Sequence, residues 1–269
     1  MKRMLTMCLC CVSLLCLMAC NGTEDSGESV AYYVTKQYME HDTGDINLTT
    51  YGYNDEWVIQ SSQSYLNGVL SSGVEYSYNE DATVVTVTTT SAIYDPTVTE
   101  IHQTFDDSGK MVRAESYSGG TLEGASEYTY DSEGRESKVV TTDSDGGVVT
   151  TLLYDYDKKG NLVSYVMETP VYSSRNEYSY DRKNRLVTMK VFHNDELVSR
   201  IEYTWEGNTK YGSVFAMGEQ AARKTVTVYD DVGNVLVEEN YDLLGALQYR
   251  TCYEYTGTDG SVSSGIPQL

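Results

Sequence analysis

Basic side chains are scarce in this sequence: 19 Lys and Arg stand against 40 Asp and Glu, and the 269 residues carry a formal net charge of −21. Such a balance repels phosphate backbones and anionic headgroups, so no basic groove is expected and nucleic acid is excluded as a partner. Cysteine is nearly absent after residue 20, where Cys252 alone remains. One thiol cannot form an internal disulfide framework, and Cys252 is expected as a small buried hydrophobe. Phenylalanine and tryptophan are rare, three and two residues, whereas tyrosine reaches 25. The apolar run from Met4 to Met18 is too short and wrongly flanked for a permanent membrane helix. His41, His102 and His193 sit in different parts of the chain with no nucleophile–base spacing or elbow motif around them. Neither a catalytic residue nor a cofactor is therefore predicted.

What is present begins at the N-terminus. Lys2 and Arg3 precede the apolar run, the pattern of an export signal. The run closes on Leu17-Met18-Ala19-Cys20, which resembles the lipobox of bacterial lipoproteins. The resemblance implies that Cys20 is acylated and becomes the mature N-terminus, giving a membrane attachment through lipid. Cys8, Cys10, Cys11 and Cys16 would leave with the signal, along with two bases, so the mature chain carries 40 acids against 17 bases. The following NGTEDSGES is small, polar and acidic, the composition of a solvated tether. Asn21 lacks the aspartate that argues for inner-membrane retention in some sorting systems. Glu24 and Asp25 resemble the acidic export signals of surface lipoproteins. An outer-membrane, surface-exposed location is the expectation.

A repeat dominates the rest. Tyr53-Asn54, Tyr78-Asn79, Phe105-Asp106, Tyr130-Asp131, Tyr156-Asp157, Tyr180-Asp181, Trp205-Glu206, Tyr229-Asp230 and Tyr255-Thr256 recur every 24 to 27 residues. Five of these units share one turn chemistry: Asp106 to Gly109, Asp131 to Gly134, Asp157 to Gly160, Asp181 to Asn184, and Asp230 to Gly233. A type I turn favours aspartate first, where its carboxylate accepts local N–H bonds, and glycine fourth, where φ is positive. Asparagine best tolerates that conformation among the other residues. Around each corner the apolar period is two, as in Tyr178 and Tyr180 against Glu177 and Ser179, which predicts half-buried antiparallel strands. Second turns fall mid-unit at Asn67-Gly68, Gly119-Gly120, Asp145-Gly146-Gly147, His193-Asn194-Asp195 and Leu244-Gly245. Nine two-strand units predict an all-β, up-and-down meander of about 16 to 18 strands.

The strings YDSEGRES, YDKKGNLV, YDRKNRLV and YDDVGNVL resemble the YD repeat of RHS-type proteins, with Glu136 standing at an expected apolar position. The hairpin count and lipobox are also similar to secreted bacterial lipoproteins with a porin-like β fold. Independent of resemblance, a sheet of some seventeen strands spaced about 4.8 Å apart would be about 80 Å wide, and twisted sheets of that width curl or split. A closed or nearly closed barrel-like sheet is therefore expected, with an open single-layer spiral as the alternative. A lumen at this strand number is too wide for wall side chains to fill. SVAYYVTKQYMEH and SVFAMGEQAARK, the least strand-like stretches, are the candidate plugs.

The predicted division is a signal at 1–20, a tether at 21–30, one β-repeat domain at 31–256 and a flexible tail at 257–269. A membrane-spanning porin is disfavoured because Glu177, Ser179, Arg200, Glu202 and Thr204 would spoil a lipid-facing band. Tyrosine suits a face that is neither dry nor wet, either as a cross-strand ladder or as a platform for sugar rings or a protein partner. DTGDIN and DSDGG carry fragments of a calcium loop, but Gly147 and Tyr154 occupy positions that need acids, so no metal site is predicted. The functional expectation is a lipid-anchored structural or binding module and not an enzyme. A glycan-processing enzyme and a carrier of a lumenal ligand are the alternatives, and the oligomeric state stays open.

Overall fold

The computed structural model describes residues 30–216 and 221–266. The signal, Cys20 and the tether up to residue 29 lie outside the described residues.

The alternating segments become strands in chain order: β1 (Tyr32–His41), β2 (Ile46–Tyr53), β3 (Ile59–Leu66), β4 (Val69–Tyr78), β5 (Val84–Ser91) and β6 (Thr97–Phe105). There follow β7 (Met111–Ser118), β8 (Thr121–Tyr130), β9 (Glu136–Asp143), β10 (Val148–Tyr156), β11 (Leu162–Thr169) and β12 (Tyr172–Tyr180). The series ends with β13 (Leu186–His193), β14 (Glu196–Glu206), β15 (Thr209–Ala216), β16 (Ala221–Tyr229), β17 (Val235–Tyr241), β18 (Leu247–Gly257) and β19 (Val262–Ser264). Every neighbouring pair is antiparallel, and β1 pairs with both β2 and β18, so eighteen strands close into a barrel. The seam is long, running from Tyr32↔Gly257 to His41↔Tyr249. Closure removes both sheet edges, which settles the choice between barrel and open spiral.

Three expectations are corrected. The segment SVAYYVTKQYMEH is no plug: from Tyr32 onward it is β1, the strand that seals the wall. The described parts of SVFAMGEQAARK belong to β15 and β16, which are wall strands too. Residues after Thr256 do not form a simple tail, because the chain turns back at Gly257–Ser261 and Val262–Ser264 pair with Glu254–Thr256 as β19. β19 fills the place beside the end of β18 that β17, paired to it from Cys252 to Leu247, leaves open. The Ser263 hydroxyl then donates to Asp230 Oδ2 at 2.6 Å, tying this strand to the corner before β17.

The corners repeat one hydrogen-bond pattern. Asp106 N donates to Lys110 O at 2.8 Å and Gly109 N to Asp106 O at 2.9 Å, while Asp106 Oδ1 accepts from Ser108 N and Lys110 N at 2.9 and 3.0 Å. The same set recurs at Asp131, Asp157, Asp181 and Asp230. This is a type I turn whose fourth residue is left-handed and forms a bulge, so the ladder slips at the corner aromatic, as where Thr129↔Lys138 is followed by Tyr130↔Glu136. Gly109 has φ +82° and Asn184 +66°, as the turn chemistry requires. Three of the nine units differ: the Asn79 corner is one residue longer, with Asn79 N donating to Val84 O at 3.1 Å and no slip of the ladder at Tyr78. At Trp205-Glu206 the connection is a tight turn at Gly207-Asn208, and the last corner starts at Gly257 rather than at Thr256.

Because strands alternate in direction, the corners of the nine aromatic-polar pairs all lie on one rim, together with the chain entry at Val30, while Asp143 and Asp242 build the same kind of corner on the other. The mid-unit turns lie on the opposite rim. Asn67-Gly68, Gly119-Gly120 and Asn194-Asp195 each have two successive positive φ values, the hairpin turn that matches strand twist.

Candidate functional site

Period two and the observed register divide the wall into two chemically different faces. One carries the pairs Tyr51/Tyr53, Tyr76/Tyr78, Tyr128/Tyr130, Tyr154/Tyr156, Tyr178/Tyr180, Tyr203/Trp205 and Tyr253/Tyr255. The other carries most strand charges, including the cross-strand pairs Arg113–Glu127 at 2.7 Å and Arg250–Glu239 at 2.7 Å. Arg175 also pairs with Glu177 on this face.

The tyrosine face is the shielded one. Val85, Ala114, Ser126 and Thr251 on it are at most 3 % exposed, whereas Glu75, Glu127, Glu202 and Thr204 on the charged face are exposed. Side chains two strands apart sense each other across it: Tyr51 and Tyr253, Tyr128 and Tyr154, Tyr178 and Tyr203. Convergence of this kind belongs to the concave side of a closed wall, so the tyrosines point into the lumen and the ion pairs point outward.

Within each pair the two aromatics have different jobs. The corner residue reaches back over the preceding repeat: Tyr53 OH donates to Val34 O, Tyr78 OH to Ile59 O, Tyr130 OH to Met111 O and Tyr180 OH to Leu162 O, all at 2.7–2.9 Å. Trp205 Nε1 does the same to Leu186 O at 2.9 Å. The residue following the corner's left-handed position lies over the next corner aromatic. Arg135 Cζ is 4.5 Å from the Tyr156 ring centroid, Arg185 Cζ 5.5 Å from Trp205, and Lys110 Nζ 5.1 Å from Tyr130. Arg135 Nε and Arg185 Nε also donate to their own corner aspartates at 2.7 and 2.9 Å. Aspartate, arginine and the next aromatic therefore form a chain from repeat to repeat.

The aromatic two residues earlier belongs to a belt that lines the lumen: Tyr51, Tyr76, Tyr128, Tyr154, Tyr178, Tyr203 and Tyr253. Burial pushes the Tyr203 phenol up to about 12, and burial also raises Tyr51, Tyr154 and Tyr253. These hydroxyls stay neutral donors across the physiological range. Tyr154 and Tyr165 meet with ring centroids 5.4 Å apart. Few carboxylates share the face. Glu136 is one, and burial raises its pKa at the position where the repeat expects an apolar side chain. Asn176 Oδ1, beside Tyr178, is buried without a hydrogen-bond partner among the described residues.

The predicted turn residues Asp106, Gly109, Asp131, Gly134, Asp157, Gly160, Asp181, Asn184, Asp230 and Gly233 all sit in the corners expected of them. Their carboxyls are held below the ordinary range: Asp106 chiefly by the Ser108 hydroxyl, Asp157 by the Asn161 amide, Asp181 by the Arg185 backbone N–H. At Asp131 and Asp230 desolvation is the largest influence and pushes upward, but the combined hydrogen bonds outweigh it. The three histidines are scattered. His102 packs on Tyr117 at 4.6 Å on the outer face, His193 meets Tyr172 at 5.3 Å, and His41 Nε2 pairs with Asn47 Nδ2 at 3.0 Å. In the DSDGG loop, Asp143 Oδ1 accepts from Asp145 N and Gly147 N at 3.0 and 2.7 Å, so it serves as another corner. No group of three or more His, Cys, Asp or Glu stands close enough to hold a metal among the described residues. Cys252 is buried on the outer face beside the seam and opposite Tyr38. Sequence reasoning missed the arginine staple and the division between corner and belt tyrosines. The recurring aromatic-x-aromatic-Asp string was the available signal.

A family model described as an uncharacterised protein matches residues 99–227, just under half of the chain. No curated protein matches the sequence significantly. Among solved structures, a porin-like protein from Bacteroides uniformis is 11 % identical with a TM-score of 0.48, over 82 % of this chain and 97 % of that one. TcdB2-TccC3 is 12 % identical with a TM-score of 0.28; 90 % of this chain is covered, but only 17 % of that chain. A protein of unknown function from Bacteroides fragilis is 14 % identical with a TM-score of 0.18, over 55 % and 86 % of the two chains.

Proposed function

We propose that this protein is a lipid-anchored repeat barrel of the outer membrane or cell surface that works as a non-catalytic binding module, with the tyrosine belt as its ligand-facing surface. The observation that carries this reading is the inward aromatic belt, Tyr51 to Tyr253, which shares its face with few charges, among them Glu136, Lys210 and Glu238, while the cross-strand ion pairs point outward. Neutral phenols offer flat apolar faces and hydroxyl partners together, which is the chemistry that receives sugar rings. The lipobox ending in Cys20 supports attachment through lipid rather than by the wall. Mid-strand charges on the outer face support the same view, since Arg or Lys facing lipid costs about 2–4 kcal/mol each at the bilayer midplane. The YDxxG corners, which serve architecture in this chain, support kinship with YD-repeat proteins.

Every wall strand lies after Val30, so a chain beginning at residue 21 keeps the whole barrel. Screening that chain on a glycan array and in pull-downs tests the reading. Reproducible capture of one polysaccharide without turnover, weakened by Tyr154→Ala and Tyr203→Ala, is the expected result. Cleavage of the captured glycan would overturn the non-catalytic assignment, and capture unchanged by both substitutions would remove the belt from it.

A further inference from the structure

The two rims of the barrel differ in where their bases lie. In the described mid-unit turns the ionisable residues include Asp42, Asp45, Asp95, Asp145, Asp195 and Asp242, with no Lys or Arg. Exposed aliphatic residues accompany them: Ile93, Val171 and Leu244 are 78 %, 91 % and 94 % exposed. The corner rim holds the turn bases, set among acids such as Asp55, Glu80, Asp107, Glu133, Asp231 and Asp259. Its densest sector is formed by two successive corners, Asp157–Asn161 and Asp181–Arg185, which place Lys158, Lys159, Arg182 and Lys183 at exposed central turn positions. These corners touch each other, for Asn161 Nδ2 donates to Asn184 Oδ1 at 2.6 Å. Two strands separate them, a spacing of about 10 Å.

The four cations have no carboxylate within ion-pair distance among the described residues, although the chain as a whole is strongly acidic. The corner acids offset them only in part: Asp181 is paired with Arg185, and Asp157 beside Lys159 contributes a single negative charge. Both oxygens of Asp157 are occupied by Lys159 N, Asn161 N and Asn161 Nδ2, and both of Asp181 by Lys183 N, Arg185 N and Arg185 Nε. The sector is thus a net positive platform whose four turn cations make no ion pair at contact distance among the described residues. It also lies on the rim where the described chain starts, since Ala31 O accepts from Thr258 N of the last corner. Ten residues connect Cys20 to Val30 and span at most about 33–36 Å when extended. A chain lipidated at Cys20 keeps the start of β1 within about that distance of the bilayer, with this rim on the tethered side.

We propose that the Lys158, Lys159, Arg182 and Lys183 platform docks on an anionic bilayer surface, so that the barrel meets the bilayer with this one sector of its corner rim and presents the base-free, aliphatic rim outward. The expectation that this protein only repels anionic headgroups holds for its net charge but not for this sector, because charges farther away than about 8–10 Å are screened at physiological salt. The orientation rests on the lipid-anchor reading given above; the platform itself does not.

Co-sedimentation of the unlipidated chain from residue 21 tests it, using phosphatidylcholine vesicles with or without a quarter of phosphatidylglycerol at low ionic strength. The expected result is pelleting with anionic vesicles alone, abolished by 0.5 M salt and reduced on the order of a hundredfold by joint K158Q, K159Q, R182Q and K183Q. These turn positions accept most residues, and an unchanged circular dichroism melt of the variant confirms its fold. No pelleting with anionic vesicles, equal pelleting of the variant, or retention on an acidic polysaccharide without vesicle binding would each overturn the proposal. Failure of the lipid anchor reads out separately, as absence of fatty-acid incorporation at Cys20 in the full-length chain.

Discussion

At each corner one residue must adopt a left-handed backbone, and the repeat solves this differently from unit to unit. Gly109, Gly134, Gly160 and Gly233 meet it freely, and Asn184 meets it as the next best residue. Trp57 and Ala82 stand at the same position in the first two corners with φ +60° and +55°. The pattern around them was therefore harder to read in the sequence, because neither residue announces a turn. A Cβ added at Gly109 would touch nothing within 4 Å, so Gly109→Ala isolates the backbone cost. It should lower stability by about 1–2 kcal/mol, and Ala82→Gly should raise it by about 0.5–1 kcal/mol, both read from urea midpoints. The corner aspartates make a second prediction. Their folded pKa values lie below the unfolded value near 3.9, so their contribution is present above that pH and is lost as pH falls through the folded values. Melting temperature should be flat from about pH 5 to 7 and fall below about pH 4, and Asp157→Asn together with Asp181→Asn should shallow that fall.

Between elements, the arginine of the YDxxGR string explains itself only when two repeats are seen together. Arg185 donates to Asp181 in its own corner and lies over Trp205 in the next unit, while Trp205 Nε1 closes the link on Leu186 O. In sequence the arginine and the aromatic are twenty residues apart, so neither charge pattern nor period two could pair them. A double-mutant cycle of Arg185→Ala and Trp205→Leu should give a coupling energy of about 0.5–1 kcal/mol, the range for a surface cation over an aromatic ring. A coupling of zero would mean that the ring and guanidinium merely share space. The division of the tyrosines was half legible in the same way. Tyr178 and Tyr180 could be put on one face from their spacing, but only the register shows the second reaching back to Leu162 O while the first joins the belt.

For the whole molecule, β1 decides whether the sheet has edges. It pairs with β2 on one side and with β18, more than two hundred residues later, on the other. A chain beginning at residue 42 should expose both β2 and β18 as unpaired edges and associate into oligomers or aggregates, measured by light scattering. A chain ending at residue 257 loses β19 but keeps the closed wall, and it should remain monodisperse with a lower melting temperature. Equal behaviour of the two truncations would contradict a barrel sealed by β1. The read-through from sequence failed at this strand because its run of Tyr, Val, Lys and Glu lacks both the corner motif and a clean alternation, whereas its partner across the seam lies at the far end of the chain.

The sequence by itself determined where the chain reverses and which side chains share a face, since both depend on neighbours within a few residues: a carboxylate bonding its own turn, a residue that tolerates positive φ, an alternation of period two. Closure, the inward direction of the tyrosines, the seam strand and the gathering of unpaired bases on one rim were decided only by the tertiary structure. Each of those depends on accumulated twist and curvature over eighteen strands, and no short stretch of residues carries that information.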